Sequence, residues 1–445
     1  MKLKLVFLSS ILFFSLQIYA QREDSITIVF DDSAIECMFL HPLDILNNVD
    51  SFWTNNPAYR LTKQWHTINN VEIPYNTWKR AIRKISTLSV EEAKNNIAYI
   101  NASKIIAKEN VFKQQAIPLI YSFLPSNISP INTKIYLLTK TVPYAFTINE
   151  NIVIDVASPN FDRNPEKIQN ILVHEVYHVG FYNTIICRTE FEYENKILDY
   201  ITDYLLSEGI ANYVSYKVQN IFPNSGFEDY KMLENSNQVK KQIDNVNLLF
   251  SKINTTSYED LIKLSWEFGV LKRAYYVAGS FMAQTIDQKM GRDSLVNAIA
   301  TGPRKFINIY NSLVTNDMKI LEFELPNTIS SYQYMRLALV NKDYQQFENI
   351  KEELIRDKDN FDASLEGKIN EYAYAFININ RTNALKLFEL NTILFPNSSN
   401  VWDSFGEFEM KQGNIETAIA YYQKAVLLQP SNTNAINKLK ELQGN

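Results

Sequence analysis

Along residues 164–181, apolar side chains fall at Ile168, Ile171, Leu172, Val173, Val176 and Val179, around nearly the whole circumference of a helix. A helix with that pattern is buried. Asn164 is its expected N-cap and Pro165 its first residue, where a missing N–H costs nothing. Before this helix the period differs. Residues 25–30 alternate as a short strand, and from Ala34 to about Phe123 the apolar spacing is mostly helical, broken near Asn55-Asn56-Pro57 and Ile73-Pro74. Residues 133–138, 144–148 and 151–156 read as strands, the last two joined through Asn149-Glu150 as a hairpin. A second apolar helix covers residues 197–214. Helices then continue over 227–313, including 258–266 and 293–300, up to a linker at 314–330 that contains Pro326.

From residue 331 the chain repeats. Trp402, Phe405-Gly406, Ala418, Tyr422, Ala425 and Pro430 stand where the tetratricopeptide pattern expects them. Thirty-four residues earlier, Ala384, Phe388 and Pro396 match the second half of that pattern, while Lys368 replaces its Trp. A weaker unit at 334–354 has Phe347 in place of a small Ala. Each unit is a helix pair that must stack on its neighbours to bury one face. Such a tail either forms a groove for a protein partner or extends the packing of the preceding lobe.

Composition adds bounds. Lys2 and Lys4, an apolar run over residues 5–18 and Ala20 read as a secretory signal over residues 1–20, too short to span a membrane. No later stretch reaches transmembrane length, so the mature product is expected to be exported, periplasmic or secreted, without an integral membrane segment. The formal charge of −5 becomes −7 without Lys2 and Lys4, and no basic stripe marks a nucleic-acid surface. About 425 residues remain, enough for two or three domains. Cys37 and Cys187 are the two cysteines; an oxidising compartment permits their pairing and geometry decides it.

The buried helix carries the chemistry. His174, Glu175 and His178 form H-E-x-x-H, in which imidazoles at i and i+4 point from one face at a common metal and the Glu reaches water on it. Zinc suits that ligand set, and the motif reads as a metallopeptidase. The chain has only four histidines, and His41 and His66, without a neighbouring His or Cys, read as packing or surface residues. Phe181 and Thr184 stand where metzincins place Gly and His, which excludes that class. No His follows His178, so the third ligand is expected to be a carboxylate: Glu190, Glu192, Glu194, Asp199, Asp203 or Glu208. The first three lie in a charged connecting stretch. Glu208 lies in the second apolar helix beside Gly209, and Gly209 and Ala211 are expected to let that backbone approach the first helix closely. A buried Glu requires a partner, and coordination supplies one.

His174-Glu175-x-x-His178, followed by Glu208-Gly209-Ile210-Ala211-Asn212-Tyr213, resembles the gluzincins, which include thermolysin-like peptidases and zinc aminopeptidases. More closely, the part before the repeats resembles a bacterial family of zinc-dependent peptidases carried as a domain of unknown function. In thermolysin-like enzymes a carboxylate four residues beyond the Glu ligand orients a metal-bound His. Asn212 stands there, with an amide oxygen that accepts an imidazole N–H less basically. Residues 275–283 are similar to a Tyr-x-x-Gly segment in related gluzincins, which implies Tyr276 as the oxyanion donor, with Tyr213 as the alternative. Glu150-Asn151 lies where zinc aminopeptidases carry Gly-x-Met-Glu-Asn, but Gly and Met are missing, so it reads as a hairpin tip.

The expected fold is α+β: a helical N-terminal part at 21–124, a mostly helical zincin-like core with a small mixed sheet at 125–313, and helical repeats at 331–445. The expected function is an exported zinc metallopeptidase acting on a peptide or protein. His174, His178 and Glu208 hold Zn2+, Glu175 is general base and Tyr276 assists the oxyanion. The alternative is an inactive zincin-fold binding protein that recruits a cell-envelope partner through its repeats.

Overall fold

A computed structural model describes residues 26–443 except 69–71, 73–74, 86, 126–130, 141–143, 149, 183, 185–195, 224, 323–330, 359–362 and 378–379. The signal segment, Cys187, Glu190, Glu192, Glu194, Asn149 and most of the expected linker lie outside the described residues. Cys37 is a half-buried free thiol. The chain divides into two compact units, one of residues up to 126 with 130–184 and 197–322, the other holding the helices from 331 onward.

The first unit is mostly helical with one mixed sheet of four strands: β1 (Ile26–Asp31), β2 (Ile131–Leu138), β3 (Ala145–Ile148) and β4 (Asn151–Asp155). Their order is β1-β2-β4-β3, with β1 and β4 parallel to β2 and β3 antiparallel to β4. β2 and β4 are buried at nearly every position, the pattern of strands covered on both faces. The metal-motif helix packs on β2, β3 and β4, and helix Pro57–Ile68 also packs on β2 and β4. β3 is short and lies at the sheet's edge. Glu150, in the two-residue connection to β4, takes the left-handed conformation (φ 62°) that such a tight hairpin needs.

Helix α1 (Pro165–Tyr182) starts as its sequence dictates, with the Glu166 N–H donating to Asn164 Oδ1 at 3.0 Å. The two preceding residues that set its direction, Asp162 and Arg163, are both left-handed (φ 50° and 58°). For residues with a Cβ this conformation costs of order 1 kcal/mol each. Lys167 donates to Asp162 at 2.8 Å across that turn. Along α1, Ile168, Leu172, Val173, Val176 and Tyr177 are fully buried.

Helix α2 (Lys196–Lys217) carries Glu208, and helix α3 (Ala274–Met290) carries Tyr276. Their crossing corrects the expectation that Gly209 would lie against the metal-motif helix. Gly209 instead faces Gly279 of α3: a Cβ built on Gly279 would stand 2.6 Å from Gly209 Cα. Small residues on both helices bring the backbones into contact. Ser280 Oγ then donates to the Gly209 carbonyl at 2.9 Å, and Asn212 Nδ2 lies 3.0 Å from Ser280 Oγ. Among the described residues, no helix is long and apolar enough to cross a membrane.

The second unit contains helix pairs Ser331–Val340 with Tyr344–Arg356, Ala363–Phe376 with Arg381–Leu394, and Ser399–Gln412 with Ile415–Leu428, followed by Thr433–Gln443. Equivalent positions 34 residues apart bond across the stack: Asn370 Nδ2 to Ser404 Oγ at 3.1 Å and Asn400 Nδ2 to Glu366 Oε1 at 3.0 Å. Ala384, Phe388, Ala418, Tyr422 and Ala425 are buried, and Gly406 lets the Tyr422 ring lie against its backbone. Phe347 is fully buried as well.

A methyl group at the α2–α3 crossing meets backbone atoms that cannot rotate away. Gly279→Ala should therefore lose about 3 kcal/mol, the upper end of overpacking costs, in the unfolding transition of the first unit. Gly367→Ala, in a helix with open space around the new methyl, should instead gain up to about 1 kcal/mol in the second unit. Denaturant unfolding followed by circular dichroism checks both.

Candidate metal centre

His174 and His178 project from the same face of α1, one turn apart, and Glu208 reaches the same point from α2. His174 Nε2 lies 3.0 Å from His178 Nε2 and 3.1 Å from Glu208 Oε2, and His178 Nε2 lies 3.4 Å from Glu208 Oε1. Zn–N and Zn–O bonds of about 2.05 Å in a tetrahedron separate neighbouring ligand atoms by about 3.3 Å. The three separations match the edges of such a site, and the donor set of two imidazoles and a carboxylate is one that zinc takes. Asp199 and Asp203 lie earlier on α2 and do not join the group; Glu190, Glu192 and Glu194 are not described.

All three side chains are nearly withdrawn from solvent, the imidazoles 8% and 10% exposed and Glu208 15%. Burial would raise the Glu208 pKa, but the His178 charge and hydrogen bonds to both imidazoles hold it well below the usual carboxylate range. Burial likewise works to lower His178, and the Glu208 charge outweighs it, so the imidazole is raised. Without a metal, the carboxylate and a protonated imidazole stabilise each other.

Glu175 also projects toward the cavity, where its Oε2 accepts from Thr147 Oγ1 on β3 at 2.8 Å. That bond fixes the carboxylate beside the donors. It went unnoticed in the sequence because a Thr in a strand carries no signal of what it faces. Tyr276 lies on the other side, its ring stacked on His174 (centroids 6.1 Å apart, planes at 20°). The Arg273 guanidinium also sits over the Tyr276 ring, with Cζ 3.2 Å from the ring centre. Arg273 is in turn held by Asp229 through three hydrogen bonds of 2.7–3.1 Å. Burial and the Glu208 charge push the Tyr276 phenol well above its ordinary pKa, against Arg273, so it is a hydroxyl donor at neutral pH. Arg273 and Asp229 are 44 residues apart, and no spacing rule pairs them.

Tyr213, the alternative donor, is buried elsewhere, donating to Asp287 at 2.8 Å, and does not line the cavity. Asn212 does line it. Its amide nitrogen is directed at the Tyr276 carbonyl (3.3 Å) and Ser280 Oγ, tying α2 to α3. His66 is buried and His41 exposed, both away from the metal group.

The cavity around these residues holds about 800 Å³. Tyr144, Ala145, Phe146 and Thr147 of the edge-strand segment form one wall. Asp155 donates to the Tyr144 carbonyl, which with the register puts 144, 146 and 148 in hydrogen-bonded pairs with β4. The peptide groups of Ala145 and Thr147 therefore face away from β4, on the side where β3 has no partner strand among the described residues.

The protein is thus a mostly helical α+β protein in which two imidazoles and a buried carboxylate, with Glu175 next to them, form a group that could hold a metal ion in a cavity. The chain matches, over residues 57–319, the model of the family described as "Putative zinc dependent peptidase (DUF5700)", and it belongs to that family. The match covers more than half of the chain and includes every residue that lines the cavity. No curated protein matches it.

Elemental analysis of the purified protein should find about one zinc per chain in the wild type and none in Glu208→Ala. Zinc binding requires neutral imidazoles, and His178 holds its proton to a higher pH than an ordinary His near 6.5. Occupancy should therefore fall as pH drops through the neutral range. The metal-free protein should behave in the opposite sense. The raised His178 contributes stability below about pH 6.5 that is lost as pH rises through its folded pKa, and the lowered Glu208 contributes stability above about pH 4.5. Thermal melts with and without chelator across pH 5–8 check the crossover.

Proposed function

We propose that this chain is an exported zinc metallopeptidase of gluzincin type, with His174, His178 and Glu208 as metal ligands. The observation that carries the reading is the triangle of donors with Glu175 beside it, in a cavity walled by an open strand edge. Zinc bound there supplies a Lewis acid that polarises the scissile carbonyl and acidifies a water. The edge of β3 pairs with the extended substrate backbone through the peptide groups of Ala145 and Thr147 that face away from β4, holding the carbonyl over the metal ligands. Glu175 takes the proton of the attacking water and passes it to the leaving amine. Thr147 keeps the carboxylate aimed between the two. Tyr276 donates its hydroxyl to the developing oxyanion, its ring held by contacts with His174 and Arg273.

The helix pairs after residue 331 support a tetratricopeptide-type tail, from their 34-residue recurrence and the buried Ala, Phe and Tyr positions. Its role in this reading is to bind a protein partner. Export rests on the sequence of residues 1–20.

Zinc-loaded protein should cleave unfolded casein. Glu175→Gln should keep its zinc and lose at least about 100-fold in rate, within the range of a lost general base. Tyr276→Phe should lose about 100-fold or more, mostly in kcat, as for removal of an oxyanion donor. Full zinc occupancy in the wild type with no cleavage of casein would sink the proposal and favour a binding protein.

A further inference from the structure

Six residues of α1 line the cavity: Lys167, Ile171, His174, Glu175, His178 and Tyr182. From Lys167 to Tyr182 there are 15 steps along one helix, and at 1.5 Å per step that wall is about 22 Å long. The metal donors lie within the span and not at its end. About 10 Å of wall extends from His174 back to Lys167, and about 6 Å from His178 on to Tyr182. An extended peptide advances about 3.3 Å per residue, so the wall matches six or seven residues with several on the longer side of the donors.

Charge along the cavity points the same way. An exopeptidase holds a substrate terminus with an opposite charge within a residue or two of the scissile bond. Among the described residues, every charged side chain that lines the cavity already faces a partner. Lys167 bonds to Asp162 at 2.8 Å and lies over the Phe227 ring, and Arg273 is held by Asp229. Glu228 pairs with Lys231 at 3.0 Å, Glu175 accepts from Thr147, and Glu208 belongs to the metal group. The hairpin-tip Glu150 does not line the cavity among the described residues. The lining also has an apolar part at Trp266, Val270 and Leu271, in a π-helical turn whose Trp266 and Leu271 are 53% and 65% exposed. An apolar rim of this kind takes side chains, not chain ends.

We infer that the site is a groove for internal segments of an extended polypeptide, and that the enzyme is an endopeptidase needing about six residues of substrate. This rests on the peptidase reading of the same cavity. The backbone is held by β3 on one side and α1 on the other, the apolar rim grips a side chain, and neither terminus is recognised.

The test uses zinc-loaded full-length protein and random-sequence peptide pools of three, five, seven and nine residues. Each pool is made once with free ends and once acetylated and amidated, and cleavage is read by mass spectrometry. Blocked pools of seven and nine residues should be cut as fast as the free ones within about twofold, and tripeptides at least about tenfold more slowly, because remote binding energy is missing. Binding is read separately in Glu175→Gln protein through the fluorescence of Trp65 and Trp266, which line the cavity. Blocked nonapeptides should perturb it and blocked tripeptides should not. Cleavage confined to peptides with a free terminus, or tripeptides cut as fast as nonapeptides, overturns the groove and leaves the peptidase standing. No cleavage of any pool by zinc-loaded wild type overturns both.

Discussion

Much of the first unit depends on one buried carboxylate. Glu208 sits almost out of water, and an unpaired charge there would cost several kcal/mol. Two imidazoles from one turn of α1 supply its partners, so the group ties α1 to α2. A metal held by the same three donors would strengthen that tie and link folding to metal binding.

That carboxylate reaches the donors because α2 is held in place from behind. The contact of Gly209 with Gly279 brings α2 and α3 together, and Asn212 and Ser280 lock the crossing with hydrogen bonds. The same crossing places Tyr276 over His174. Arg273, left-handed at φ 65° at the head of α3, turns its guanidinium back over the Tyr276 ring, where Asp229 neutralises it. A cation on an aromatic face contributes about 1–2 kcal/mol when desolvated, enough to hold one ring orientation. On the opposite side Thr147 fixes Glu175. Glu175 and Tyr276 are therefore held by different layers, the sheet and α3, and a change in one need not disturb the other.

The second unit is held together differently. Its helix pairs stack through repeating apolar positions and through polar bonds between residues 34 apart, such as Asn370 with Ser404. Stability there is spread over neighbouring interfaces, whereas the first unit is built around a sheet with buried helices on it.

Sequence by itself determined the local features. Two histidines at i and i+4 with Glu175 between them must share a helical face, because 3.6 residues per turn fix it. Asn164-Pro165 fixes where that helix starts, the period-2 runs fix the strands, and a Glu inside an apolar helix beside Gly marks Glu208. Tertiary structure decided what faces these elements. β1 pairs with β2 across about 100 residues, and no feature of either strand names its neighbour. Gly209 was legible as a close approach, but its partner proved to be Gly279 on α3 and not α1. Tyr276 and Tyr213 both stood among twenty-six tyrosines, and only helix docking sent one to the cavity and the other to Asp287. Thr147, Arg273 and Asp229 were invisible for the same physical reason: a hydrogen bond or a stacked cation depends on where separate elements pack, and residue spacing along the chain carries no trace of it.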